Sequence, residues 1–138
     1  MKKEALCTAL GALVATLVGT WGPAYWALLV CQCVDFTSGS IVALVFHKST
    51  KTETGGAESY AMFKGICKKF MMWMIIAMAH WLDIVLGFNY ITLAVTYSFI
   101  ANEALSVIEN SGQMGLIKNA AIINAIDILK KKSETTKD

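Results

Sequence analysis

YSFIANEALSVIEN, residues Tyr97 to Asn110, reads as part of a membrane-crossing helix, yet it carries Asn102, Glu103, Glu109 and Asn110. Steps of three and four bring Thr92, Thr96, Phe99, Glu103, Ser106, Asn110 and Gln113 onto one helical face, with Leu93, Ile100, Leu105 and Ile108 elsewhere. An acid near a bilayer centre costs about 2.5 to 3.5 kcal/mol on insertion scales, so a polar stripe of this kind requires a partner. The remaining chain is expected to supply it, by packing or by self-association.

The composition supports the membrane reading. The 138 residues are 56% hydrophobic, above the roughly 45 to 50% of soluble domains, and the mean hydropathy is +0.54. The apolar runs are near the ~20 residues a helix needs to cross hydrocarbon. Open strands would leave backbone groups unsatisfied there, so the spans are expected to be helices. We expect an all-α integral membrane protein of one domain, residues 1–138, with spans near 5–20, 24–46, 70–87 and 90–108. A loop, 47–69, and a tail, 111–138, connect and end them.

All 12 basic residues are lysines lying outside the apolar runs, at 2, 3, 48, 51, 64, 68, 69, 118, 130, 131, 132 and 137. Nucleic-acid reading leans on arginine for bidentate contacts, so no nucleic-acid partner is expected. The lysines act as topology signals. Both termini and the middle loop carry them, whereas the turns at Trp21 to Pro23 and Gly87 to Asn89 carry no charge. By the positive-inside rule, termini and loop are cytoplasmic, giving two helical hairpins.

Each span carries its own signal. Lys2 and Lys3 before Ala5 to Thr20 could belong to a signal peptide, but no clear small-x-small cleavage site leads into a soluble mature protein, and a retained helix is expected. Cys7, Gly11, Ala15 and Gly19 recur every four residues, which suits either close approach of two helix backbones or the general abundance of small residues in membrane helices; Gly39 is a packing candidate in the second span. There Asp35 shares a face with Gln32, Gly39 and Val42, apart from Leu28, Leu29 and Leu44. Either a packing hydrogen bond or a role in gating suits it. In the third span His80 and Asp83, three residues apart, can share a hydrogen bond and hold or pass a proton. Leu116, Ile117, Ala120, Ile123, Ile126 and Leu129 make the tail amphipathic, and Lys130, Lys131 and Lys132 suit an anionic leaflet.

No nucleophile elbow, nucleotide loop or metal-ligand run is present; Cys7, Cys31, Cys33 and Cys67 form no CxxC. Neither an enzyme nor a cofactor or metal is expected. Asp35, Asp83, Glu103 and Glu109 have no lysine or arginine within the spans. Oligomers with converging polar faces would cover them and could line an aqueous hole, which suits a pore-former or a proton-coupled subunit.

Asp35-Phe36-Thr37-Ser38-Gly39, Lys64-Gly65-Ile66-Cys67-Lys68-Lys69, Ala79-His80-Trp81-Leu82-Asp83 and Ile100 through Asn110 together resemble the toxin-secretion/phage-lysis holin family, over roughly residues 30 to 130. Where family members often have a Val-Pro-x-Pro segment, this chain has Leu116-Ile117-Lys118-Asn119, so the start of its tail differs. The resemblance implies a phage-type protein that oligomerises in the bacterial inner membrane and opens timed lesions. Its partners would be further copies of itself, the lipid bilayer, an endolysin or toxin as cargo, and an antiholin as regulator. A small proton- or ion-coupled transporter subunit using His80 and Asp83, and a membrane scaffold using the Lys-rich tail, are the rival expectations.

Overall fold

The computed structural model describes residues 2–118, 121, 124, 125 and 128. Among them it contains helices and no strands: α1 (Lys2–Val18), α2 (Pro23–Ile41), α3 (Ser59–Leu86) and α4 (Ile91–Gln113). A π-helical turn, Val42–Phe46, extends α2. Three helical segments are long and apolar enough to cross a membrane: Pro23–Phe46, Ser59–Leu86 and Ile91–Gln113. At 1.5 Å per residue, each exceeds the ~30 Å of hydrocarbon. The 17 residues of α1 begin with Lys2, Lys3 and Glu4, leaving an apolar length of only about 21 Å.

The helix ends follow from local chemistry. Gly19 adopts φ +79° beyond α1, and Pro23 starts α2, where its missing N–H would have had no helical partner. Gly87 ends α3 at φ +70°, with the Phe88 N–H on the Asp83 carbonyl at 2.9 Å. Gly115, φ +76°, does the same for α4, with the Leu116 N–H on the Ser111 carbonyl at 3.0 Å. A left-handed residue closing the last turn suits glycine, which has no Cβ to clash.

Helix α3 starts at Ser59, eleven residues before the expected third span, because nothing between Glu58 and Lys69 breaks a helix except Gly65. Lys64, Lys68 and Lys69 therefore belong to a helix rather than to a loop, and the connection shrinks to 47–58.

Helix α2 packs along α4, α3 packs against α4, and α1 meets chiefly α3. Val18, Tyr25, Leu28 and Ile76 form the small buried core, flanked by Trp73, Ala77, Val95, Phe99 and Ile100. Leu28 is fully buried, a correction to its assignment away from the polar strip. It lies four residues before Gln32 and seven before Asp35, and so on the same face. Most other large apolar side chains face outward. Lipid is as apolar as leucine, so packing and polar links hold such helices together.

The tail positions Ala120, Ile123, Ile126 and Leu129 and the lysines Lys130, Lys131 and Lys132 lie outside the described residues.

Candidate functional site: a charged cluster shared by the three long helices

The stripe on α4 faces inward. Thr96, Glu103 and Asn110, seven residues apart, are its buried members, and on α2 the buried set is Tyr25, Leu28, Gln32, Asp35 and Ser38. Where the two faces meet, Asn110 Nδ2 donates to Ser38 Oγ at 2.9 Å and to Asp35 Oδ1 at 3.2 Å. Gly39 lies beside this contact, and a Cβ there would stand 3.5 Å from Asn110 Nδ2, an ordinary packing distance.

Lys69 of α3 completes the site. Its Nζ donates to Asp35 Oδ2 at 2.8 Å and also to Glu103 Oε2, so one ammonium joins three helices. The side chains of Lys69, Asp35 and Glu103 are 16%, 10% and 5% exposed, which makes this a buried ion triad. For Asp35 and Glu103 this corrects the expectation that the acids have no basic partner inside the spans. Because α3 starts early, Lys69 sits ten residues into the helix, one 100° step away from the exposed Lys68. Stepping back from Asp83 by threes and fours gives Ala79, Ile76, Trp73 and Lys69, so the pattern that placed Asp83 could have found Lys69.

A fourth charge comes from the loop. Lys51 Nζ lies 3.8 Å from Asp35 Oδ1 and 3.4 Å from Ser106 Oγ. Just under one turn back along α2 from Asp35, Gln32 accepts from Trp73 Nε1 at 3.0 Å and donates to Met72 Sδ at 3.5 Å. No buried side-chain polar atom among the described residues lacks a partner.

The expected His80–Asp83 hydrogen bond does not form. Asp83 instead caps α4: its Oδ1 accepts from the Ile91 N–H at 3.0 Å, and its Oδ2 from the Thr92 N–H at 2.8 Å and Thr92 Oγ1 at 2.6 Å. The first N–H groups of a helix have no partner within it, and a carboxylate at that end is favoured by the dipole. His80 packs beside Gly19, where a Cβ would stand 2.6 Å from its Cε1. Beside it, Tyr25 Oη donates to the Val18 carbonyl at 2.6 Å, and Trp21 stacks on Trp73 at 5.3 Å.

Other anticipated positions are less buried. Asn102 is exposed, and Glu109 and Ser106 are half-buried. Gly11 and Ala15 are exposed, and a Cβ on Gly11 would meet nothing within 4 Å. The four cysteines are free, and no group among the described residues could hold a metal.

Comparison with known proteins decides the family. The bacteriophage holin family matches residues 12–131. The chain belongs to the bacteriophage holin family. The match reaches back into α1, beyond the motifs quoted above. An uncharacterised protein of Halalkalibacterium halodurans is 33% identical over 127 residues, 88% of each chain. One of Listeria monocytogenes is 34% identical over 108 residues, 77% of this chain and 71% of its own. A Bacillus phage phi105 protein named probable holin is 26% identical over 114 residues, 80% of this chain and 78% of its own. No solved structure matches the chain. Holin membership and three helices able to cross a bilayer make this a multi-pass membrane protein.

Proposed function

We propose that this holin-family protein accumulates in the bacterial inner membrane and opens timed, nonselective lesions through which an endolysin or a toxin reaches the cell wall, causing lysis. The observation that carries the mechanism is the Lys69 bridge between Asp35 and Glu103. A buried ion triad is a poor source of net stability, since desolvation offsets the attraction, but breaking it is costly. It therefore suits a closed state that is held until all its contacts are exchanged together. In the open state, copies of the chain turn the α2 and α4 polar faces toward one another and toward water, and Asp35, Glu103, Ser106 and Asn110 line the lesion.

Burial alone no longer demands a second copy, because one chain already pairs Asp35, Asp83 and Glu103. Self-association belongs to the opened state. The lysine pattern supports both termini and the 47–58 loop on the cytoplasmic side, with α1 as a short first span accommodated by local thinning of the bilayer. An antiholin would act by pairing with this chain while it is closed.

The test is inducible expression in a bacterium with a cytoplasmic endolysin, following optical density and release of a large cytoplasmic marker, with a depolariser added early to one culture. Sudden loss of density that needs both proteins, and that the depolariser advances, is the expected result. Continued growth with the endolysin retained rejects the function. D35N and E103Q should each shift the time of lysis; unchanged timing in both rejects the role of the triad.

A further inference from the structure

We infer that Lys51 is a detachable fourth member of the buried charge cluster, and that the 47–58 loop is a strap whose release sets the moment of opening. This rests on the lesion-forming reading above. Asp35 and Glu103 bring two negative charges between the helices and Lys69 returns one positive charge. The triad alone therefore carries one net negative charge inside the bundle, and Lys51 beside Asp35 brings the sum to zero.

The two lysines differ in how firmly they are held. The Lys69 side chain is 16% exposed and belongs to a long helix, whereas that of Lys51 is 56% exposed and belongs to a loop. The loop is nevertheless folded into place. The Ser49 N–H bonds the Gly55 carbonyl at 2.9 Å, Thr52 Oγ1 bonds the Gly56 carbonyl at 2.9 Å, and Gly55 turns at φ +72° against the His47 carbonyl. Gln113 Nε2 donates to Thr50 Oγ1 at 3.3 Å, tying the loop to the end of α4. The small residues Gly39, Ala43, Ala61 and Gly65 line a cleft whose walls also include Asp35, Lys51 and Lys69. Lys51 is thus the most loosely held charge of the four. Its departure strands a negative charge among membrane helices, which then draws in water or a proton.

Two measurements test this. In cultures carrying the endolysin, K51Q should bring the onset of lysis forward, while K51R and the neighbouring loop variant K48Q keep wild-type timing. Adding E103Q to K51Q should restore the onset, since Lys69 and Asp35 then balance. In the detergent-purified full chain, cleavage at Glu53 by a glutamate-specific protease should be faster in K51Q than in wild type by about 1.5- to 5-fold, the range expected from an exposed ion pair. K48Q should match wild type. Equal cleavage of wild type and K51Q overturns the strap. Faster cleavage with unaltered lysis timing overturns its role in opening. Absence of lysis from the wild-type chain overturns the lesion reading and the timing role with it, and the cleavage rates still decide whether the strap exists.

Discussion

Replacing Lys69 with methionine keeps most of the unbranched side chain and, among the described residues, removes the one ammonium that reaches both Asp35 and Glu103. At 2.8 Å from Asp35, with an effective dielectric near 20, the attraction is about 6 kcal/mol. The desolvation penalty of several kcal/mol per ion offsets most of this, so the intact triad adds little net stability. The variant is a different case, because the acids stay buried. Either both remain charged, Glu103 without an ammonium and Asp35 with only the exposed Lys51, or one takes up a proton. From an ordinary carboxyl value near 3.9, protonation at pH 7 costs about 4 kcal/mol at 1.36 kcal/mol per unit. Relief by protonation caps the loss, and K69M should destabilise the chain by about 3 to 5 kcal/mol.

The assay is reversible unfolding in detergent micelles of wild type, K69M, D35N/E103Q and the combined triple variant. In the triple variant no charge is stranded, so most of the loss should return, with a coupling of at least about 1 kcal/mol between the lysine and the acids. A K69M chain within about 0.5 kcal/mol of wild type, or additive effects in the triple variant, would refute the argument that the lysine's task is to pair these acids.

Other expectations are simpler. Asn110→Ala removes both hydrogen bonds to the Ser38 and Asp35 side chains and should cost about 1 to 3 kcal/mol in the same assay; an unchanged stability would mean that the α2–α4 contact is looser than described. Gly19→Ala should destabilise by about 1 to 2 kcal/mol from its left-handed backbone alone, and more from the collision with His80. Gly11→Ala, with open space around it, should be neutral or gain up to about 1 kcal/mol of helix propensity. Thr92→Val removes the hydroxyl bonded to Asp83 and should lower the melting temperature, less than removal of the Asp83 carboxylate does.

Much of the architecture was legible in residue order. Apolar run lengths marked the three long helices, and Gly87 and Pro23 marked their ends. The seven-residue recurrence of Thr96, Glu103 and Asn110 identified the buried face of α4, and Gln32 with Asp35 that of α2, because a helix presents every third or fourth residue to one side whatever its neighbours are. The quoted motifs also sufficed to recognise the family.

Partners were a matter for tertiary structure. Lys69 stands next to Lys68 in the chain, and charge alone assigns both to the membrane surface; only the early start of α3 and the rotation of one residue turn Lys69 onto Asp35 and Glu103. His80 and Asp83 are close enough along α3 to bond each other, but the start of α4 offers Asp83 two backbone N–H groups and a hydroxyl, and Gly19 of α1 gives His80 its place. Spacing within a helix fixes which side chains share a face. Which atoms they meet depends on the register and rotation of separate helices, set by long-range packing that no local pattern encodes.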